Sequence, residues 1–240
     1  MNVILGINIS HNGSVSLICD GEVKVAIQAE RISRFKRQSL FINKDTELLK
    51  KCVQYCLHSS GLTYEDINAI AISTPWNLRK TDNDSLFNSI GGVPDKYLGT
   101  FYVPHHLSHM EYILHYGERK PGIVLVIDGS GSLEKDRLFF NIKEEHHSKI
   151  INHTDFDGKE VISAYWFDGV KSCLIYRSSP SQSSEANFNT NSNRFLQSIG
   201  HYWRWASLYC CGSINEAGKV MGLSALGDEI ESNKNPFLKL

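Results

Sequence analysis

The stretch that most constrains how this chain can fold is the run Gly122-Ile123-Val124-Leu125-Val126-Ile127, closed by Asp128-Gly129-Ser130-Gly131-Ser132. Five consecutive apolar, mostly β-branched residues predict a strand buried on both faces, and strands of that kind belong to α/β sheets covered by helices. Ligands of such sheets gather at the carboxyl ends of the strands, which is where Asp128 stands. The backbone amides of residues 129–132 predict a cradle for phosphate oxygens. Taken alone, an Asp-Gly pair after a strand is equally an ordinary turn.

A second feature raises the odds of a site. Val103-Pro104-His105-His106-Leu107-Ser108-His109-Met110 places Pro104 at an expected first helical position, and the apolar pattern continues through Ile113 and Leu114. On that helix His105 and His109 lie one turn apart on the same face and can converge on one ion, and the helix N-terminus favours the neutral rings a metal needs. A histidine pair four apart is by itself more often helix surface or core. The acid at the tip of the following strand makes His105, His109 and Asp128 a candidate metal set with the ligand chemistry of a divalent transition metal.

Bulk properties exclude several classes. With 240 residues, 41% hydrophobic and 21% charged, the chain can bury a substantial core. A net charge of −1 disfavours nucleic-acid binding as a main role. No apolar run reaches membrane-spanning length and no secretory leader is apparent, so a cytoplasmic protein without a membrane partner is expected. The cysteines are Cys19, Cys52, Cys56, Cys173, Cys210 and Cys211, which contain no Cys-x-x-Cys pair and read as reduced core residues.

In chain order, strands are expected at residues 3–10, 15–19 and 22–29, joined by a turn at residues 11–14 and a tight hairpin at Asp20-Gly21. His11 therefore projects from the end of the sheet. The basic cluster Arg31, Arg34, Lys36 and Arg37 follows, either a solvated face or a grip on an anion. A helix is expected over residues 44–60 with Gly61 as its cap, a strand over 67–72, and loop with one short helix over 76–99. Further strands are expected at residues 137–142 and 149–153, a hairpin around Asp168-Gly169, a mobile loop over 177–193, and helices starting near Ser198 and around Gly218. Gly218 and Gly222, four apart, predict a helix face cleared for close approach. Strand, glycine turn, strand, turn, strand occurs near Val3 and again near Ile123. The fold class expected is α/β, with duplicated β-β-β-α lobes of the actin, Hsp70 and sugar-kinase plan. Residues 1–121 form the first lobe and 122–240 an incomplete second one, with about 157–194 as an insertion or mobile loop.

His11, Ala29-Glu30-Arg31-Ile32-Ser33-Arg34 with Lys36, the Pro104–His109 stretch, Ile127-Asp128-Gly129 and Gly218-Lys219-Val220-Met221-Gly222-Leu223 occur in the order that resembles the NodU/CmcH O-carbamoyltransferase family. That resemblance implies an actin-like domain, similar to tRNA threonylcarbamoyl transferases, that moves a carbamoyl group from carbamoyl-adenylate to a hydroxyl of a small molecule or sugar in natural-product or nodulation-factor-type biosynthesis. It implies Fe(2+) on His105, His109 and Asp128, His11 as general base, and Lys36 as a substrate contact. Asp128, Gly129, Ser130, Gly131, Ser132, Glu216 and Gly218 become nucleotide contacts. ATP and carbamoyl phosphate would be co-substrates of an activating domain, a missing C-terminal or separate partner. The serines at 130 and 132 depart from the larger polar or acidic residues usual in that loop.

Two other classes compete. One is a non-catalytic nucleotide- and metal-binding or regulatory module on the same lobes. The other is a zinc hydrolase, ranked last because zincins need a glutamate directly after the first histidine and His106 stands there. Since the activating domain and the rest of the second lobe are expected outside residues 1–240, the purified chain is expected to catalyse no isotope exchange between ATP and pyrophosphate in the presence of carbamoyl phosphate. Measured exchange would overturn that expectation.

Overall fold

The computed structural model describes residues 1–42, 44–74, 86–88, 90–92, 94, 96–117, 119–129, 131–132, 159–178, 199–214 and 216–227. Alternating apolar residues and tight turns produce three antiparallel strands at once: β1 (Val3–Asn8), β2 (Ser14–Cys19) and β3 (Glu22–Gln28). The β2–β3 turn is the hairpin expected, with Asp20 and Gly21 both at positive φ, 49° and 87°. Strands β4 (Ala69–Ser73) and β5 (Gly99–Val103) add to the other edge of β1 in parallel, giving the order β3-β2-β1-β4-β5. A short helix α1 (Ala29–Ser33) follows β3, and α2 (Thr46–Ser60) covers one face of the sheet.

The first core is the set of inward residues these periodicities dictate. Val3, Leu5 and Ile7 of β1, Val15, Leu17 and Cys19 of β2, and Ile70 and Ile72 of β4 pack with Leu49, Cys52, Val53 and Cys56 of α2, all buried. Cys52 and Cys56 are unpaired in disulfides, and burial pushes each thiol up to about 11, which keeps both as protonated packing groups. Gly61 caps α2 in the left-handed conformation, as expected.

Helix α3 (His105–Tyr116) begins directly beyond β5. Pro104 stands one position earlier than the first helical residue: it is the N-cap, in extended backbone, and its carbonyl accepts the Ser108 N–H at 3.0 Å. A second sheet, β6 (Gly122–Ile127), β7 (Ile162–Phe167) and β8 (Ser172–Ser178), is antiparallel throughout in the order β6-β7-β8. Leu107, Met110 and Leu114 of α3 bury against its Val126, Tyr165, Phe167 and Leu174. The helix therefore springs from the end of the first sheet and lies on the second. Helices α4 (Ile199–Cys211) and α5 (Ala217–Ser224) follow, packed on each other.

The molecule is mixed α/β, and a β-β-β run does recur in the second half. Three expectations change. The β6 strand is buried on one face only: Val126 is 7% exposed, while Ile123 and Leu125 are 64% and 58% exposed. An unbroken apolar run has no period to show which face is covered, and among the described residues α3 covers one. Residues 162–178 are the hairpin expected around Asp168-Gly169, here β7 and β8 of the second sheet although they fall within the stretch expected as an insertion or mobile loop, and Arg177, expected to open a loop, is 3% exposed within β8. The strands expected at 137–142 and 149–153 and most of the expected loop after Ser178 lie outside the described residues, as does most of 76–99, of which 86–88 are helical.

Met110, with no exposed surface, is the residue by which α3 is seated on the second sheet. Met110→Ala is expected to lower stability by about 2–5 kcal/mol, read as a shifted midpoint in urea unfolding followed by tryptophan fluorescence.

Candidate metal centre

The carboxyl ends of β1, β4, β5 and β6 supply the site. After β1 the chain turns at His11, and the Asn8 side-chain amide, donating to the Asn12 carbonyl at 3.1 Å, shapes that turn. After β5 comes the N-terminal turn of α3 with His105 and His109, and after β6 comes Asp128. Strand β4 ends at Ser73, whose hydroxyl meets that of Ser108 on α3 at 3.0 Å, and so joins the first sheet to the helix.

His105, His109 and Asp128 converge. His105 Nε2 lies 2.9 Å from Asp128 Oδ2, His109 Nε2 lies 3.2 Å from His105 Nε2, and His109 Nε2 is 3.8 Å from the same carboxylate oxygen. Ligand bonds of about 2.0–2.2 Å hold donor atoms about 3–3.5 Å apart, so two of the three separations, 2.9 and 3.2 Å, stand close to those of a shared ion and the third, 3.8 Å, is wider. Two imidazoles and a carboxylate are the donor set of zinc and of non-haem iron(II) sites. Among the described residues this is the one cluster of three or more such side chains suited to a metal.

The charges are set in opposite directions. Burial alone would raise the Asp128 carboxyl, but the hydrogen bond and positive field of His105, with the Gly129 N–H at 2.6 Å, hold it down at about 2. His109 is lowered, first by partial burial and then by His105, with Asp128 opposing. His11 is lowered first by desolvation, then by the Arg37 guanidinium and more weakly by His105, again against the pull of Asp128. Both rings are therefore neutral, and the carboxylate ionised, near pH 7.

The residues expected to touch a nucleotide fare differently. The amides of the loop after β6 are already engaged: Gly129 N–H donates to its neighbour Asp128 Oδ1, Gly131 N–H to the Glu160 carbonyl at 2.7 Å, and Ser132 N–H to Glu160 Oε1 at 3.1 Å. These three are not a bare phosphate cradle; Ser130 lies outside the described residues. Gly131 is required because a Cβ there would meet the Glu160 side chain and, at 2.9 Å, His106 Cδ2. Ser132 Oγ accepts the His105 N–H at 2.9 Å and donates to the Thr74 carbonyl at 3.3 Å. It is thus a structural tie between β4, α3 and the loop.

Lys36 is exposed on the loop after α1, whose path is fixed where the Arg37 N–H meets Glu30 Oε2 at 3.1 Å. Glu216 caps α5, pairs with Lys219 at 2.9 Å and feels the fields of Arg37 and Lys36. A Cβ on Gly218 would lie 3.8 Å from the Arg37 guanidinium, whereas one on Gly222 would meet nothing within 4 Å. The helix face expected to be cleared for close packing is open at Gly222. Sequence reasoning missed Arg37 as the cation beside His11, and Glu160 altogether, since a lone acid before Val161-Ile162 gives no sign of burial.

No protein-family model matches the chain. It is similar to the nodulation protein NolNO of Sinorhizobium fredii, 27% identical over 149 residues, covering 53% of this chain and 21% of that protein. It is also similar to an uncharacterised protein, MJ1051, of Methanocaldococcus jannaschii, 30% identical over 155 residues, covering 64% of this chain and 27% of that one. The chain thus spans about a quarter or less of the length of these relatives, and the resemblance to NodU-type proteins rests on this shared stretch. Among solved structures, YeaZ from Pseudomonas aeruginosa aligns with a TM-score of 0.37 at 13% identity, covering 72% of this chain and 64% of that one. No helix among the described residues is long and apolar enough to cross a membrane.

Removing one donor is expected to weaken binding of Co2+ by more than about 10-fold, as measured by titration of His105→Ala and Asp128→Asn against the parent chain. Because His109 is lowered, proton competition at that ring is expected to weaken Co2+ binding only under the ordinary histidine value of 6.5, and a His109 imidazole charged above that pH in nitrogen resonances of the metal-free chain would contradict it.

Proposed function

We propose that the chain forms the carbamoyl-transfer centre of an O-carbamoyltransferase. The reading is carried by one observation: His105, His109 and Asp128, from two separate elements, bring their donor atoms within 4.8 Å of one another. The ordered motif set and the similarity to NolNO, a NodU-type protein, support it.

On this reading carbamoyl-adenylate, made from carbamoyl phosphate and ATP by a separate activating domain, is the donor, and a hydroxyl of a small molecule or sugar is the acceptor. A divalent ion on the three side chains, Fe(2+) in the family's chemistry, would supply Lewis acidity to the carbamoyl carbonyl. His11, neutral near pH 7 and projecting from the turn after β1, takes the proton of the acceptor hydroxyl as its oxygen bonds to the carbamoyl carbon. The bond from that carbon to the phosphate oxygen breaks, and AMP leaves as an anion. Lys36 and Arg37, whose fields both reach Glu216, supply positive charge for that anion. With the amides of Gly129, Gly131 and Ser132 engaged inside the protein, these side chains are the better phosphate contacts.

The same engagement of the loop amides gives weight to a second reading, a metal-binding module that does not itself transfer. The two separate cleanly under anaerobic conditions, with Fe(2+), a separately expressed activating domain, radiolabelled carbamoyl phosphate, ATP and a panel of sugar hydroxyl acceptors. Transfer of label to an acceptor is expected, with His11→Ala slower by about 10²–10⁴-fold while Co2+ binding stays intact. Metal binding with no labelled acceptor would favour the second reading.

A further inference from the structure

We propose that Glu160 is a positioning residue of the metal centre: its buried carboxylate clamps the helix that carries His105 and His109 to the loop that carries Asp128. This rests on the metal-centre reading above.

Glu160 has no exposed surface. Its Oε1 accepts two backbone N–H groups, that of His106 in the first turn of α3 at 2.9 Å and that of Ser132 in the loop after β6 at 3.1 Å. Its Oε2 faces Arg177 Nε of β8 at 3.2 Å. The backbone joins in: Glu160 N–H donates to the Ser132 carbonyl at 3.0 Å and the Glu160 carbonyl accepts from Gly131. His106, buried, points its Nδ1 at Ser163 Oγ of β7, 2.8 Å away. One side chain therefore touches the residue next to His105 and the loop that follows Asp128.

The placement follows from electrostatics. The first turn of a helix offers unpaired N–H groups and the positive end of its dipole, and a carboxylate there is stabilised by both. Buried, it also requires a cation, which Arg177 provides. The apolar contacts of Leu107, Met110 and Leu114 hold α3 on the second sheet but leave its rotation and slide only loosely fixed, because hydrophobic contact is non-directional. Hydrogen bonds from one carboxylate to two elements are directional, and they set the spacing on which three ligand atoms depend.

Co2+ alone is titrated into the purified chain and into Glu160→Gln, Glu160→Ala and Leu174→Ala, with affinity and the visible d–d bands read together. Leu174 belongs to the same apolar cluster, and its truncation removes packing without removing a hydrogen-bonding group, so it serves as a control for lost stability. Glu160→Gln is expected to weaken Co2+ binding by about 10-fold and to shift the bands, Glu160→Ala to weaken it further, and Leu174→Ala to keep the parent affinity and spectrum. Should Glu160→Ala fail to fold, Glu160→Gln decides. Parent-like binding by Glu160→Gln, or an equal loss in Leu174→Ala, overturns the positioning role. If the parent chain takes up no Co2+ at all, the metal reading fails, and the clamp is then judged by imidazole nitrogen resonances of the metal-free chain. Loss of the His105–Asp128 pairing in Glu160→Gln supports it, and unchanged resonances overturn it.

Discussion

The structure depends on the 2.9 Å contact between the His105 imidazole and the Asp128 carboxylate. Its two partners come from consecutive elements that serve different sheets: α3 starts at the end of β5 in the first sheet, and Asp128 follows β6 of the second. Helix α3 solves the geometry by belonging to both sheets. Its first turn is tied to the first sheet through Ser108 and Ser73, and its apolar stripe is buried on the second. A small slide of α3 on the second sheet would separate the donors, and its apolar contacts alone are not directional. The directional ties of Ser132 and Glu160 therefore matter more to the site than the larger buried area does.

The electrostatics are consistent with that geometry. A metal centre of this kind needs an ionised carboxylate and neutral imidazoles at the same pH, although the two types of group pull each other toward the opposite arrangement of protons. Here Asp128 gains from His105 and from the Gly129 N–H, while His109 and His11 lose more to desolvation and to neighbouring cations than Asp128 returns to them. Environments that drive neighbouring titratable groups apart are concentrated at functional sites, although structural ion-pair networks shift such groups as well.

Much of this was legible in the sequence, for identifiable reasons. The first three strands and their hairpin follow from period-two apolar alternation and from Asp20-Gly21, α2 from its apolar spacing and Gly61, and the His105–His109 pair from helical geometry alone. These are local rules, and local rules survive folding. The outer face of β6 did not follow, because Ile123 and Leu125 are as apolar as Val126 and only the arrangement of other elements says which is covered. Glu160 did not follow either. Its partners are His106, Ser132 and Arg177, of which none is nearer than 17 residues and the farthest is 54 away along the chain. A buried carboxylate with distant partners looks, in sequence, like any exposed acid.

The glycine-rich loop after β6 shows why one signature carries two meanings. Glycines let a backbone approach an anion closely whether that anion is a phosphate or a side-chain carboxylate, and an adjoining helix N-terminus attracts both. What separates the cases is whether the amides already have acceptors within the protein. Here the Glu160 carboxylate sits where the amide of Ser132 and the first turn of α3 converge, and Gly131 is small because Glu160 and His106 lie against it. An internal anion therefore already accepts from these amides. On the transfer reading proposed above, the negative charge of a donor would be met by Lys36 and Arg37, whose fields reach Glu216, with Arg37 acting on His11 as well. On that reading the guanidinium that would steady a leaving phosphate also adds to the desolvation that lowers His11, so one cation would serve both ends of the transfer.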